Sequence, residues 1–383
     1  MDKPTVQDIF HRFYPAYLDQ YSPSPVQAKV AHNIMNCKTG AYGANVCVCE
    51  DCGFVQIHYN SCRNRCCPMC QAVPKEMWMD ARREDVLDAP YFHLVFTVPD
   101  ILNPVIYSNQ RLLYDALYHA ASSTISELTA DPKHLGAKVG YICILHTWGS
   151  EMNFHPHIHA ILLGGGLASN NQWKDNGENF FLPIRVISKM FRGKYLEELK
   201  RLWEEDKLVF HGTAEKFRNH YTFKELLDSC YGMDWIPHCK KTFNGAQTVM
   251  KYLGKYTHRI AVSNHRTVRM DDDTVTFLVK DYRNEGQWKE LTISGVEFVR
   301  RFLMHVPPRR FVRIRHYGLL CSRTKSQKLT LCRNLLGCKK YLSKLRDMEM
   351  PEILEHLYGI KVCVCKACGG HLGKPQMRMP LRC

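Results

Sequence analysis

Residues 139–165 read VGYICILHTWGSEMNFHPHIHAILLGG, two apolar runs joined by the polar segment SEMNF. Two such runs with a short polar connection predict neighbouring antiparallel strands. Side chains two positions apart on a strand point to the same face of the sheet. His157 and His159 are therefore expected to share a face, whereas Ile158 between them points into the core on the opposite side.

The histidines of these two strands form the first candidate site. Three of them at alternate positions, 155, 157 and 159, favour a metal site over the isolated surface or core histidine that is commoner. His157 and His159 are the predicted ligands, with His146 on the preceding strand as the third and Glu151 in the turn as its alternative. Imidazole ligands suit zinc, copper, iron or nickel better than magnesium, so ligand type leaves the metal open.

A pair of tyrosines forms the second candidate site. Tyr252 and Tyr256 lie four residues apart in KYLGKYTHR, so on a helix their hydroxyls project from one face. A buried aromatic stripe is the alternative interpretation. Lys251, Lys255 and Arg259 surround the pair, and positive charge favours a phenolate and attracts phosphate.

Gly254, between the two tyrosines, lies inside the predicted helix. Glycine there costs about 1 kcal/mol relative to alanine. A close approach of the backbone to DNA would explain that cost.

Cysteines cluster near the start of the chain, where eight of the 18 fall within the first 70 residues. The pairs Cys49-x-x-Cys52 and Cys67-x-x-Cys70 have the spacing of zinc ligands. A second ion is left open, with these candidates: Cys37, Cys47, Cys62, Cys66, His32 and His58. A further group near the end of the chain has no assigned role: Cys363, Cys365 and Cys368.

Charge points to a polyanionic partner. The 383 residues include 52 Lys and Arg against 37 Asp and Glu, a net charge of +15, which favours nucleic acid. Arg63 and Arg65, interleaved with the cysteines, predict that the zinc module contacts DNA. No run reaches the roughly 18 apolar residues of a membrane span, and no secretory segment opens the chain, so no membrane partner is expected. The expected location is the bacterial cytoplasm, at the nucleoid when bound to DNA, where cysteines stay reduced and bind metals.

These patterns predict an α+β fold in three parts. Residues 1–88 form a zinc-binding, DNA-binding module, 89–320 a catalytic domain, and 321–383 a basic tail with the last cysteine cluster. The catalytic domain is expected to hold an antiparallel sheet with flanking helices. Its other predicted elements are a strand at HLVFTVPD, a helix over 110–130 and a hairpin from VTFLVKDY to KELTIS.

Taken together, these segments resemble the HUH transposases with two tyrosines, of the insertion-sequence ninety-one type, over most of the chain. The His-hydrophobe-His motif of that family matches residues 157–159, and its Tyr-x3-Tyr motif matches Tyr252 and Tyr256. Cys66 departs from the pattern, since the family usually has histidine in this stretch. The resemblance implies an HUH-endonuclease-like sheet, an N-terminal transposase zinc-binding domain, and magnesium or manganese in the histidine site.

It also implies the reaction and its substrate. A tyrosine nicks and rejoins single-stranded DNA, or a DNA hairpin at the element ends, through a 5′-phosphotyrosine intermediate in rolling-circle-like transposition. No G-x4-G-K-[ST] phosphate loop occurs, so no external energy source is expected. The alternatives are a plasmid relaxase or replication initiator of the same chemistry, and a non-catalytic zinc-finger regulator. A zinc hydrolase is disfavoured because no H-E-x-x-H motif accompanies the histidines.

Overall fold

The computed structural model of the chain describes residues 3–176, 182–235, 237–242, 249, 253–254, 261–281 and 286–378. The predicted tyrosine nucleophiles and the cations beside them lie outside the described residues: Tyr252, Tyr256, Lys251, Lys255 and Arg259. Within the described ranges, no helix combines the length and the apolar character needed to cross a membrane.

Helices and strands are interspersed along the described residues. The α-helices of the described residues are α1 (Val6–Gln20), α2 (Pro25–Met35), α3 (Ala72–Arg83), α4 (Asn103–Ser108), α5 (Gln110–Ala130), α6 (Ile184–Glu204), α7 (His220–Gly232), α8 (Gly295–Met304), α9 (Lys325–Leu336) and α10 (Met350–Tyr358). The strands are β1 (Ala44–Val48), β2 (Val55–Tyr59), β3 (Tyr91–Thr97), β4 (Lys138–Trp148), β5 (Phe154–Leu167), β6 (Trp173–Asp175), β7 (His238–Thr242), β8 (Thr267–Met270), β9 (Thr274–Asp281), β10 (Gln287–Ser294), β11 (Ile314–Gly318) and β12 (Gln376–Arg378).

The central sheet has the strand order β11-β4-β5-β3-β7, with β6 added beside β5. Every pairing in it is antiparallel. The two apolar runs of residues 139–165 form β4 and β5, paired from Lys138↔Leu167 to Trp148↔Phe154. HLVFTVPD supplies β3 and the 110–130 segment is α5. The predicted α+β fold with an antiparallel sheet and flanking helices is therefore confirmed.

The two faces of this sheet carry different side chains because residues alternate along each strand. One face, including Phe96, Leu145 and Ile158, packs in the main core with residues of α5 and α6. The opposite face carries the three histidines of the candidate site. Beside them on this face, Ile144 and Ile161 belong to a second apolar cluster. That cluster also takes in the following residues of other segments: Trp78, Met79, Leu87, Val249, Leu253, Leu329 and Cys332.

A second sheet, β10-β9-β8, packs with the N-terminal helices. Phe10 of α1 contacts Phe302 of α8 edge to face, with ring centroids 5.2 Å apart, and Phe298 meets Phe277 of β9 in the same way. Helices α1 and α2 each begin with a capping box, at Thr5 and Ser24. The N-terminal helices thus share a core with residues 261–306 of the predicted catalytic domain.

The third sheet joins the two ends of the chain. It has the order β12-β1-β2, and β12 pairs antiparallel with β1 from Ala44↔Arg378 to Val46↔Gln376. The isolated bridge Cys49↔Leu372 continues the contact, and the bridge Val364↔His371 lies within the tail. The described part of the C-terminal tail therefore lies on the N-terminal module.

Candidate functional site

The register of β4 and β5 gathers three histidines. His146 lies directly opposite His157, and Ile144 lies opposite His159, so both partners of each pair share one face. One ligand nitrogen from each of the three imidazoles lies within 4.8 Å of the other two. His157 Nε2 and His159 Nε2 are 3.1 Å apart. The structure thus brings together the predicted ligands and His146, the first choice for the third.

Hydrogen bonds outside this group orient the rings. His157 Nδ1 lies 2.7 Å from the His155 carbonyl oxygen, which can only accept, so Nδ1 carries the hydrogen and Nε2 keeps its lone pair. Burial lowers the pKa of His157 to about 4, so the ring is neutral at pH 7. Neutral imidazole is the form that binds a metal.

His93 plays the same part for His159. Its Nε2 lies 2.9 Å from His159 Nδ1, between two buried rings. For His159 Nε2 to bind a metal, the hydrogen must be on Nδ1, from which it donates to His93 Nε2. Sequence reasoning placed His93 on a strand but gave it no function. The alternation of His93 with Val95 and Thr97 is visible in the sequence, but only the structure shows that the partners of those two residues are His159 and His157.

Contacts with other segments anchor the β4–β5 turn. His305 Nε2 lies 3.0 Å from the Met152 carbonyl and donates to it, and burial lowers the pKa of His305 to about 4. Glu151, the alternative third ligand, is half exposed, and its carboxylate lies 4.0 Å from Lys289 Nζ. Among the described residues, the histidine group does not include Glu151.

Two described residues close in sequence to the tyrosine pair pack on the sheet face that carries the histidines. Val249 and Leu253 are 1% and 2% exposed and belong to the apolar cluster that contains Ile144 and Ile161. A Cβ on Gly254 would lie 2.5 Å from Met79 Sδ of α3. The close neighbour of this glycine is therefore α3. The sequence had predicted a close approach to DNA at this position.

Two groups of four cysteines contain the predicted zinc pairs, one pair in each. Cys67 and Cys70 lie with Cys37 and Cys62, all four sulfurs within 4.8 Å of one another. Interaction with the neighbouring thiols of Cys62 and Cys70, followed by burial, raises the pKa of Cys67 above its ordinary value. Such crowding of sulfurs fits a tetrahedral zinc site, where the cation offsets the thiolate charges.

The second group contains the other predicted pair. Cys49 and Cys52 lie with Cys365 and Cys368 from the tail, again with all sulfurs within 4.8 Å. The two predicted pairs therefore do not lie in one site. Among the described residues, Cys66 and His58 belong to neither group.

The two arginines predicted to bind DNA occupy different positions. Arg63 is exposed, with a positive φ of 53°. Arg65 donates to the carbonyls of Phe311 and Pro308, at 2.5 and 3.1 Å. This geometry argues for a structural role of Arg65 in place of the predicted DNA contact.

Comparison with known proteins identifies the family. Residues 9–98 match the family model "Transposase zinc-binding domain", and residues 140–328 match the family model "Putative transposase". The protein "Putative transposase y4qJ" of Sinorhizobium fredii (strain NBRC 101917 / NGR234) is 40% identical over 95% of this chain and 93% of its own length. The chain belongs to the IS91 family of transposases. The transposase for insertion sequence element IS801 of Pseudomonas savastanoi pv. phaseolicola is 30% identical over 79% of this chain and 72% of that protein.

Among solved structures, the IS91-family chain aligns with the conjugative relaxase TrwC in complex with OriT DNA. One complex, metal-free, has a TM-score of 0.24 and 17% identity, over 29% of this chain and only 44% of the relaxase. Another, copper-bound, has a TM-score of 0.26 and 15% identity, over 52% of this chain and 69% of the relaxase.

Family membership has direct consequences for this transposase. It is an enzyme of DNA transposition that carries an N-terminal zinc-binding domain, as predicted from the cysteine pairs. The first cysteine group, Cys37, Cys62, Cys67 and Cys70, lies entirely within that domain. The matched transposase region contains all three residues of the histidine group.

Proposed function

We propose that this transposase nicks and rejoins single-stranded DNA, or a hairpin, at the ends of its element by tyrosine transesterification, in rolling-circle-like transposition. The proposal rests on one observation. Three imidazoles lie together on the sheet face against which Val249 and Leu253 pack. Val249 lies three residues before the proposed nucleophile Tyr252, and Leu253 directly follows it. That proximity supports placing the tyrosines as partners of the histidine site.

His146, His157 and His159 would hold a divalent ion, magnesium or manganese as in the family that the motifs resemble. Three protein ligands leave room for a substrate oxygen, as catalytic metal sites require. The bound ion would polarise the scissile phosphate as a Lewis acid. Because imidazoles favour later transition metals, cleavage with manganese, magnesium and zinc supplied separately tests the choice of ion.

The tyrosines provide the covalent chemistry. The phenolate oxygen of Tyr252 or Tyr256 bonds to phosphorus, the bond from phosphorus to the 3′ oxygen breaks, and that oxygen takes up a proton to give a free 3′ hydroxyl. The 5′-phosphotyrosine ester keeps the energy of the broken bond. Attack of a 3′ hydroxyl on this ester rejoins the strand, and the second tyrosine remains for the next cleavage.

Basic residues supply the DNA contacts in this proposal. Lys251, Lys255 and Arg259 favour the phenolate and bind the neighbouring phosphates. Arg63, exposed beside the first cysteine group, is the proposed contact of the zinc module. We assign these tasks to the proposed parts: DNA binding to residues 1–88, cleavage to 89–320, with 321–383 as the tail.

Adduct formation tests this mechanism. A labelled single-stranded oligonucleotide that spans an element end is incubated with the protein and manganese or magnesium. The covalent protein–DNA adduct should appear on a denaturing gel as a band of reduced mobility. The double variant Tyr252→Phe, Tyr256→Phe should bind the oligonucleotide normally and form no adduct. Tyr221→Phe is the matched control, since Tyr221 is 76% exposed on α7. An adduct that persists in the double variant would refute the assignment.

The same assay separates the other candidates. A zinc-finger regulator without activity would bind the oligonucleotide and leave it intact. A plasmid relaxase or replication initiator would show the same adduct but on origin DNA; the family match favours the element ends.

A further inference from the structure

The second cysteine group draws its members from opposite ends of the chain. Cys49 Sγ lies 3.5 Å from Cys368 Sγ, and Cys52 Sγ lies 3.7 Å from Cys365 Sγ. The family zinc-binding domain covers residues 9–98 and so contains only half of this group. The other half lies more than 300 residues away in sequence.

The two halves have the same local structure. In each, a Cys-x-x-Cys turn ends in a glycine with positive φ, 70° at Gly53 and 79° at Gly369. The N–H of each glycine donates to the carbonyl of the first cysteine of its pair, at 3.1 and 3.0 Å. Glycine is required there because a side chain strains the backbone at such φ. Two matching turns therefore face each other across the group.

Backbone N–H groups point at two of the four sulfurs. Ala367 N–H donates to Cys365 Sγ and Gly370 N–H donates to Cys368 Sγ, both at 3.4 Å. Donors aimed at a sulfur favour its thiolate form, which is the form that binds zinc. At Cys365 and Cys368 the arrangement suits thiolates bound to an ion better than neutral thiols in a core.

We propose that Cys49, Cys52, Cys365 and Cys368 bind one structural zinc ion that clips the C-terminal tail to the N-terminal module. Four cysteine sulfurs form a closed tetrahedral site with no position for substrate, so its task is to stabilise the fold. The proposal does not depend on the strand-cleavage chemistry.

Neighbouring contacts agree with a clip. Cys49 and Cys365 are each 2% exposed and form a small cluster with Cys47 and Leu372. The Cys49 N–H is bonded within its own turn, and the adjacent Glu50 N–H donates to the His371 carbonyl at 3.1 Å. This cluster is too small to hold the tail by apolar burial alone, which is the situation where a metal supplies folding energy.

Earlier in the tail, a second attachment is made to α3. Asp80 accepts hydrogen bonds from the Tyr341 hydroxyl at 2.7 Å and the Leu345 N–H at 2.9 Å. Arg346 pairs with Glu84 at 2.5 Å. The tail is thus held both before and after α10, and the zinc clip makes the attachment that follows α10.

Zinc counting tests the shared site. We expect the paired variant Cys365→Ser, Cys368→Ser to contain one zinc fewer per chain than the parent, measured by mass spectrometry of the metal content. The paired variant Cys49→Ser, Cys52→Ser should lose the same single ion, and all four changes together should still lose only one. Cys363→Ser is the matched control, an exposed tail cysteine outside the group, and should lose none.

An unchanged zinc count in the tail variant, or a loss of two ions when all four cysteines are changed, would overturn the proposal. A second experiment avoids any folding defect of the variants. A protease site inserted between Ile360 and Lys361, in the exposed link before Cys363, allows the full chain to be cut after folding. The C-terminal fragment should co-elute with the body in gel filtration and separate after chelation. A fragment that separates with zinc still bound, or that stays after chelation, would contradict a zinc clip.

Discussion

Replacing His93 with phenylalanine should weaken metal binding without touching a proposed ligand. His93 Nε2 lies 2.9 Å from His159 Nδ1, and both rings are buried. Phenylalanine keeps an aromatic ring at this position, but in the metal-bound form, with His159 Nε2 on the ion, it leaves the His159 Nδ1–H without this acceptor. A buried donor that loses its partner costs about 1–3 kcal/mol. At about 1.4 kcal/mol per factor of ten, manganese affinity should fall about 10- to 100-fold, the range known for changes outside the ligand shell.

The assay is a titration of the zinc-replete chain with manganese, in which free manganese is followed by electron paramagnetic resonance. His93→Gln offers an acceptor in place of Nε2 and should recover most of the affinity. His316→Phe is the matched control, since His316 is partly buried on β11 of the same sheet, opposite Ile142 in register. Unchanged affinity in a folded His93→Phe chain, or an equal loss in the control, would refute the role of His93.

Other predictions concern the arginines and one ion-pair network. Arg65→Ala removes two hydrogen bonds to backbone carbonyls, so it should cost about 1–3 kcal/mol in urea unfolding and leave DNA affinity unchanged. Arg63→Ala should do the reverse, lowering oligonucleotide affinity in fluorescence anisotropy and reducing the salt slope by about one. Hydrogen bonds from Arg300 and then Arg301 outweigh burial and lower the pKa of Glu297 to about 2. Solvent screens this partly exposed ion pair, so Glu297→Gln should lower the free energy of unfolding at pH 7 by about 2 kcal/mol, less than the full pKa shift implies. The difference is complete above about pH 5 and vanishes as pH falls toward about 2. A difference that does not depend on pH would count against this ion pair.

Local patterns predicted the central part of this fold. Alternation along β3, β4 and β5 fixes which side chains share a face, so His157 and His159 could be paired from sequence. The choice of His146 over Glu151 required the register of β4 with β5, which the short SEMNF connection suggested but did not prove. The hairpin of β9 and β10 was also predicted, and it is confirmed.

Contacts between distant segments could not be predicted in this way. Spacing shows that Cys365 and Cys368 form a pair, but the fold alone selects Cys49 and Cys52 as their neighbours. His93 and His159 lie 66 residues apart, and their hydrogen bond depends on the pairing of β3 with β5. Arg65 was predicted from its charge to meet DNA, whereas the carbonyls that it meets come from residues 308 and 311.

We propose that a tyrosine of the 251–259 segment attacks DNA beside the histidine site. Mass spectrometry of the protease-digested covalent adduct, trapped with an element-end oligonucleotide and a divalent ion, tests it most directly. We expect a nucleotide linked through its 5′ phosphate to the peptide that contains Tyr252 or Tyr256. A nucleotide attached to any other residue, or nicked DNA with no attached peptide, would contradict it.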